Sequence, residues 1–471
     1  MSRGPAALSV AALMVLALLS AGPRAGPAWR EHGEAPREAG RAGMQLHAAP
    51  APATGVLSSR AGPGLDWREA IRTAVARHPS VAAARAALDA QSSLVRAARA
   101  GYRPRLQAEL SSGEPDQFGT GQVATLGLSQ TLYDFGKTGS AVERERAGER
   151  GERALALRAV DQVVEDTTRA LIEIHRNQAL RESVQAQLEA LDRIREITEL
   201  RADAGAATRS DPLQARSRME ATQARLLGIE SQLRQWRSRL SIYIGPDALQ
   251  AVAPAPAALL DAATEGFDLD SVPALQVARA DREAAQAELR NVRAQRYPTI
   301  VLEANANMRL GGTSDRYEQV YGDEQYSTAF ISLRSPLYQG GELSARSRAS
   351  AAALQAAEAR LQAERLSARD EQQRHVEQIQ GLLARMDVLE ARVNSITETR
   401  SLYWDQYLSL GTRNALDLLN AEQEIGLSRE DLVNARHDLW DARLGLLLAT
   451  GRARAAFGVH DDAFRGDGHA P

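Results

Sequence analysis

Two long stretches of the chain carry apolar or neutral residues at steps of three and four. They span 137–202 and about 341–409, and no proline interrupts either stretch. This spacing is typical of a coiled-coil seam and predicts two unusually long helices. At 1.5 Å per residue, each helix would extend about 100 Å. The positions are Leu157, Val160, Val164, Thr167, Leu171, Ile174, Val184, Leu188 and Leu191 in the first, and Val376, Ile379, Leu383, Met386, Leu389, Val393 and Ile396 in the second.

Each long helix is predicted to turn back as a helical hairpin. Gly205 and Gly411 follow the two stretches, where a left-handed C-cap is expected. Ser210 or Asp211 would cap the first returning helix, with Pro212 at its first position. The returning helices are predicted over 212–243 and 415–449, which places the hairpin tips near 203–212 and 410–418.

A period-two pattern precedes each long helix. It follows Pro104 and Pro298 and predicts strand pairs within 104–133 and 298–338, joined by glycine-rich linkers at 111–121 and 311–325. Each strand has about ten residues, the length of a membrane-spanning β-strand. One face is apolar, whereas the other carries Glu303, Asn305, Asn307 and Arg309, as a water-filled lumen would require.

The last strand of each pair turns into its long helix almost without a loop. The two stretches read TLYDFGKTGSAV (131–142) and SPLYQGGELSARS (335–347). Glycine supplies the flexible backbone that such a junction needs. The predicted junction residues are Tyr133, Gly136, Tyr338, Gly340 and Gly341.

The chain is an internal duplication with an offset of about 206 residues over the hairpin tips. Gly205, Asp211 and Leu213 match Gly411, Asp417 and Leu419 at this offset. Each half therefore reads helix, strand, strand, long helix, turn, helix. The predicted domains are a signal peptide (1–28), a disordered N-terminal segment (29–64), the first repeat (65–245), a linker (246–272), the second repeat (273–451) and a flexible C-terminal tail (452–471).

Composition narrows the class of protein. The chain has 471 residues, a net charge of −3, 4% aromatic residues and no cysteine. These values exclude disulfides, thiolate metal sites and a lipidated N-terminal cysteine, and they give no basic face for nucleic acid. The apolar run near the N-terminus, with Arg3 before it, predicts a cleaved signal peptide and export. No nucleophile–base pair or metal-ligand spacing occurs, so we expect no enzyme, no metal and no cofactor.

Four strands cannot close a barrel, because closed barrels begin near eight strands, and open strand edges cannot face lipid. Copies of the chain must therefore share one barrel, unless the hairpins pack elsewhere. A cyclic trimer would give twelve strands and a tube of twelve helices.

These features resemble the TolC-type outer membrane efflux family over roughly residues 65–455. The resemblance rests on TLYDFGKTGS, SPLYQGGELSA, LGTRNALDLLNAEQE, the duplication and the closing LLLATG. It implies a mainly α fold with a small transmembrane β part, in which a trimeric 12-strand barrel continues into a periplasmic α-helical tunnel. It also implies an equatorial region, which comprises the linker 246–272 (the equatorial linker) and the C-terminal tail. It further implies location in the outer membrane of a Gram-negative bacterium, with a periplasmic adaptor (membrane fusion) protein and an inner-membrane ABC-type transporter as partners.

The resemblance further implies that the periplasmic tips form the gate and the adaptor-docking surface. The corresponding residues here are Gly205, Asp211, Gly411, Thr412, Arg413, Asp417 and Asn420. Arg413 would pair with a carboxylate of a neighbouring hairpin. Asn420 departs from an Asp of some family members, which puts a constricting carboxylate ring at that level in doubt. The alternative role of the polar tip residues is helix capping.

The amino-acid sequences of the two junction motifs favour a type I protein secretion component. A multidrug efflux channel remains the alternative within the family. A periplasmic coiled-coil adaptor is the alternative from another class, although two equivalent hairpins with two strand pairs disfavour it.

Overall fold

The computed structural model describes residues 65–113, 121–245, 253–260, 269–311 and 325–459. The predicted signal peptide and N-terminal segment lie outside these ranges. So do much of the two strand linkers, most of the equatorial linker and the chain after 459. Among the described helices, none has both the length and the apolar character needed to cross a bilayer.

The two predicted strand pairs form one antiparallel sheet in the order β1-β2-β3-β4. The strands are β1 (Arg105–Gly113), β2 (Gly121–Tyr133), β3 (Thr299–Gly311) and β4 (Gln325–Arg334). The two halves of the duplication meet where β2 pairs with β3, for example Leu126 opposite Ala306. The last strand ends before the predicted limit of 338, because Pro336 has no amide hydrogen to give to a ladder.

The predicted long helices and their returning partners are all present. The helices are α1 (Trp67–Arg77), α2 (Pro79–Arg99), α3 (Lys137–Asp203), α4 (Ser210–Ile244), α5 (Ala257–Leu260), α6 (Pro273–Ala294), α7 (Glu342–Asp405), α8 (Ala415–Ala449) and α9 (Ala453–Ala456). Helix α3 has 67 residues and α7 has 64, so each is about 100 Å long.

Helix α3 is surrounded by partners, whereas α7 is not. Near the sheet, α3 packs against α2 and α6, and farther along it packs against α4 and α8. The predicted seam of α3 is accordingly buried from Leu157 to Leu191, with Leu188 half-buried. Helix α7 packs mainly on α6 and α8. Of its predicted seam only Ile379 and Leu389 are buried, and Leu383 is exposed.

The largest hydrophobic cluster lies where α1, the middle of α3 and the ends of α4 and α8 meet. The chain just after α8 belongs to this cluster, since Ala453 and Phe457 are fully buried. Arg454 forms an ion pair with Asp161 of α3 in the same region. The prediction of a flexible tail from residue 452 is therefore wrong for 452–459, because these side chains complete the core.

Described parts of the equatorial linker join the same core. The indole nitrogen of Trp67 donates to the carbonyl oxygen of Ala253 at 2.8 Å. The amide of Ala253 in turn donates to the carbonyl oxygen of Leu65 at 3.1 Å. The start of the first repeat is thus fastened to the linker that follows it.

Candidate functional site

The first hairpin tip is closed by backbone geometry. Gly205 has φ +73°, and the next amide, of Ala206, donates to the carbonyl of Arg201 at 2.7 Å, which is a Schellman closure. The next helix begins at Ser210, with Arg209 at the N-cap position and no side-chain cap. The prediction of Ser210 or Asp211 as N-cap with Pro212 at the first position is therefore wrong. The Asp211 carboxylate instead accepts from the Thr208 hydroxyl at 2.6 Å.

The second tip contains a wider helical turn. Residues Gln406–Leu410 form a π turn that ends at Gly411, which has φ +62°. Asn414 then caps α8, since its side chain accepts from the amide of Asp417 at 2.9 Å. Asn414 therefore has a capping role, and Asp417 lies in the first turn of α8, where a carboxylate favours the helix dipole. Thr412 lies between the two helices, and its amide donates to the carbonyl of Gln406 at 3.2 Å.

Arg413 is held within its own tip rather than by the first hairpin of the same chain. Its guanidinium donates to Gln406 Oε1 at 3.0 Å and lies 3.5 Å from Asp417 Oδ2. The same group stacks over the ring of Tyr403 at 4.4 Å. These contacts fix the side chain at the exposed end of the hairpin.

A contact that the sequence did not predict joins the two tips. Arg201, in the last turn of α3, donates from Nη1 to the carbonyl of Tyr407 at 2.8 Å. Its guanidinium also lies 4.6 Å from the centre of the Tyr407 ring. Tyr407 is only 4% exposed and packs with Leu418 and Leu191. Burial raises the pKa of Tyr407, with Arg201 opposing and Asp211 adding to the rise.

Farther from the tips, α8 carries polar residues that bind the other helices. Arg218 of α4 lies 3.4 Å from Asn420 Oδ1. Two buried carboxylates follow, Glu422 opposite Arg400 of α7 at 3.4 Å and Glu430 paired with Arg225 of α4. Burial raises the pKa of both carboxyl groups, and the paired arginines only partly oppose the rise.

At the first junction, Asp134 holds the chain in a tight reversal. Its carboxylate accepts from the amides of Gly136 at 3.0 Å and Thr138 at 2.6 Å. Phe135 has φ +55° and Gly136 φ +89°, so the strand ends and the helix begins within three residues. Burial by itself raises the pKa of Asp134, but the bonds from Thr138 and Gly136 outweigh it and hold the pKa below its ordinary value.

The second junction uses glycine for the same purpose. Gly340 has φ +58° and Gly341 has φ +85°. The amide of Glu342 donates to the carbonyl of Gln339 at 3.0 Å, which starts α7. Tyr133 and Tyr338, the predicted aromatic junction residues, are both largely exposed.

The two faces of the sheet differ in chemistry as predicted. Leu106 and Leu110 of β1 and Ile331 and Leu333 of β4 point to one face, and each is 65–67% exposed in the single chain. The opposite face is polar. There Thr125 donates to Asn307 Oδ1 at 2.8 Å, and Glu303, Ser332 and Arg334 are joined by hydrogen bonds.

Among the described residues, no group of three or more histidine or acidic side chains is arranged to hold a metal ion. His175 and His437 meet at 3.0 Å between Nδ1 and Nε2. His437 is buried against Trp440, and burial lowers its pKa to about 4. This pair lies in the core that joins α3 to α8.

Comparison with known proteins agrees with this geometry. The family model described as outer membrane efflux protein matches residues 70–246 and 269–452. The chain is 25% identical to the alkaline protease secretion protein AprF of Pseudomonas aeruginosa, over 72% of this chain and 70% of that protein. It is also 25% identical to the outer membrane efflux protein BepC of Brucella suis, over 79% and 82% of the two chains.

The fold matches solved structures at lower sequence identity. The outer membrane protein VceC of Vibrio cholerae aligns with a TM-score of 0.69 at 23% identity, over 82% of this chain and 96% of that one.

The chain belongs to the outer membrane efflux protein family. This is a family of transport channels and not of enzymes. Its place is the cell outer membrane, with the helical hairpins in the periplasm. The predicted fold class, mainly α with a small transmembrane β part, is confirmed.

Proposed function

We propose that three copies of this chain form the outer-membrane channel of a type I protein secretion system. The channel receives its cargo from an inner-membrane ABC-type transporter through a periplasmic adaptor protein. The proposal is carried by the sheet, whose outer strands β1 and β4 each lack a partner on one side within the described chain.

Unpaired strand edges and an exposed apolar face require other copies. Backbone groups at a sheet edge cannot remain unpaired in lipid, and four strands are too few to close. Pairing of β4 with β1 of the next copy meets both demands. The weakly buried seam of α7 fits the same arrangement, because a neighbouring chain would cover it.

Relatives support protein cargo. Besides AprF, the chain is 28% identical to the proteases secretion protein PrtF of Dickeya chrysanthemi, over 53% of this chain and 55% of that protein.

We propose that the tips hold the periplasmic end closed until an adaptor docks. Arg413 and Asp417 are exposed enough to exchange their mutual contact for contacts with a partner, while Gly205, Gly411 and Thr412 allow the turns to change. At the first tip, Asp211 would be the residue that forms contacts with a partner. Asn420, which contacts Arg218, would not supply a constricting carboxylate ring at that level.

The channel itself can be tested with purified protein. We expect particles that contain three chains, and discrete conductance steps in planar bilayers. The mass of such a particle would be about three times that of one chain, which is 50.9 kDa with the predicted signal peptide included. A monomer without conductance would contradict the proposal and would suit an adaptor instead.

The cargo can be tested by deleting the coding sequence. Type I secretion predicts that one or a few proteins disappear from the culture medium while drug susceptibility is unchanged. The wild-type sequence restored on a plasmid should return those proteins. Unchanged secretion with raised drug susceptibility would instead favour a multidrug efflux channel, the alternative that the longer match to BepC supports.

A further inference from the structure

The ends of the sheet that adjoin the helices carry an excess of positive charge. Residues 90–108 contain four arginines and no acidic residue, and residues 289–302 contain three arginines and no acidic residue. The whole chain, in contrast, has a net charge of only −3. Each basic stretch runs from the end of α2 or α6 into the strand that follows.

Six of these seven arginines are exposed and lack an acidic partner in the described ranges, and four of the six precede the strands and lie closest to the turns that lead into β1 and β3. Arg99, Arg103, Arg293 and Arg296 are exposed, and no carboxylate in the described ranges lies within 4.0 Å of them. Arg290, in contrast, pairs with Glu143 of α3. The positive charge is therefore available to an external ligand.

Aromatic rings lie at the same level. Tyr102 and Tyr297 are 55% and 54% exposed, and each is adjacent to one of the arginines. The Tyr297 ring stacks on Phe135 at 5.5 Å, and Phe135 contacts Tyr133 at 4.6 Å. We call the exposed set of Arg99, Tyr102, Arg103, Arg293, Arg296 and Tyr297 the junction belt.

Contacts within the chain keep the junction belt at the end of the strands. Gln130 near the end of β2 donates to the carbonyl of Tyr102 at 2.8 Å. The only lysine of the chain, Lys137, donates to Thr299 Oγ1 at 2.6 Å, next to Tyr297. Asn291 of α6 donates to the carbonyl of Lys137 at 2.8 Å. The first-half part of the belt is thus tied to β2, and the second-half part is tied to the first residue of α3.

We propose that the junction belt binds the headgroups of anionic phospholipids in the inner leaflet of the outer membrane. The helices lie in the periplasm, so the helix end of the sheet lies at that leaflet. Tyrosine favours the boundary between apolar chains and water, and arginine pairs with phosphate by charge and by two hydrogen bonds. An open surface without a pocket suits lipids, which are concentrated at the interface, better than free phosphate.

The number of arginines in the belt determines how strongly their removal should weaken lipid binding. A basic residue near an anionic membrane surface contributes about 1 kcal/mol, which is about fivefold in affinity. Removal of four should weaken binding of the anionic lipid by about tenfold or more even if half of the effect is lost to salt screening.

The test uses the purified full-length protein in a non-ionic detergent. Phosphatidylglycerol, phosphatidylcholine and inorganic phosphate are added separately, and the thermal midpoint is recorded as a function of each concentration. A ligand that binds the folded state raises this midpoint. We expect phosphatidylglycerol to act at a concentration at least tenfold lower than phosphatidylcholine and inorganic phosphate to have no effect.

Two variants with the same charge change separate the belt from general electrostatics. The belt variant replaces Arg99, Arg103, Arg293 and Arg296 by Gln. The control replaces four exposed arginines of the hairpins by Gln: Arg216, Arg234, Arg369 and Arg385. We expect the belt variant to lose the preference for phosphatidylglycerol and the control to keep it.

Several results would overturn the proposal. They are equal action of the two lipids on the wild type, an equal loss in both variants, and stabilisation by inorganic phosphate at the concentrations where phosphatidylglycerol acts. Should the belt variant fail to assemble, single Tyr102→Ala and Tyr297→Ala variants, scored by lipid retained in native mass spectra, must show fewer bound lipids than the wild type. The inference rests on the membrane location and does not depend on the cargo. If the junction belt does not bind lipid, conductance and secretion should still be normal.

Discussion

Arg413 is the tip residue with the most contacts that a partner can replace. Gln406, Asp417 and Tyr403 hold its guanidinium, and all three belong to the same hairpin. Arg201, in contrast, reaches from the first hairpin into the second. The proposed closure of the tips therefore involves two sets of side-chain contacts, one that orders the second tip and one that fastens it to the first.

Loss of the first part should open the channel. We expect Arg413→Ala and Asp417→Ala to raise bilayer conductance and antibiotic leakage, because the second tip loses its fixed geometry. Arg216→Ala, an exposed substitution on α4, serves as the control. Unchanged leakage in both tip variants would leave these residues with a capping role alone.

Loss of the second part should separate the tips. Arg201→Ala removes the hydrogen bond to the buried turn at Tyr407 and leaves that carbonyl without its charged donor, at a cost of about 1–3 kcal/mol. We expect faster proteolytic cleavage near residues 406–414, with the trimer intact. Arg201→Lys should restore much of the resistance, and equal cleavage of wild type and Arg201→Ala would contradict the role.

Helix α8 is the element in which charged and titrating groups are most deeply buried. His437 and Glu430 both lie on this helix. The His437 ring contacts His175 of α3, and the Glu430 carboxylate pairs with Arg225 of α4. Burial lowers the pKa of the first and raises that of the second. The same physical cause therefore gives the two groups opposite dependences on pH.

The histidine makes stability fall in acid. Below about 6.5 the unfolded chain binds a proton at His437, while the folded chain does not until about pH 4. This amounts to about 2 kcal/mol between pH 7 and pH 5. We expect His437→Gln to flatten the fall of the thermal midpoint over that range; an unchanged slope would contradict the assignment.

The contribution of Glu430 to stability should change with pH in the opposite direction. The folded state retains the carboxyl proton to a higher pH than the unfolded chain, so its contribution to stability falls as pH rises above about 4.5. The thermal midpoint of Glu430→Gln, relative to the wild type, should therefore improve from pH 4 to pH 7. A relative decline over that range would show that the pairing with Arg225 dominates.

At the scale of the whole molecule, we expect the open edges of the sheet to determine how copies of the chain assemble. The chain has no cysteine, so introduced pairs report contacts between copies without background. We expect Gln107→Cys in β1, combined in turn with Ser332→Cys, Thr328→Cys or Phe330→Cys in β4, to give dimer and trimer bands after mild oxidation. Cysteines on the inner strands, Thr125→Cys with Asn305→Cys, should give none. Monomers in all three edge combinations would contradict closure by neighbouring copies.

The sequence predicted what depends on neighbouring residues. The uninterrupted seam placed α3 and α7 within a few residues, and Gly205 and Gly411 marked both turns. It did not predict the contact of Arg201 with Tyr407, which joins residues 206 positions apart. It also assigned 452–459 to a flexible tail, because Phe457 is isolated in sequence and only the assembled core shows what it packs against.

The abrupt passage from strand to helix has a mechanical meaning. The sheet holds one end of each long helix. Only three residues, Asp134 among them, separate β2 from α3, and seven residues that include Gly340 and Gly341 separate β4 from α7. When one end of a helix is held, a small change of its angle at that end displaces each residue by an amount that grows with its distance from the held end. About 100 Å away, a tilt of a few degrees moves the tip by several ångströms. In the proposed trimer, such a tilt would widen the periplasmic opening while the barrel keeps its diameter.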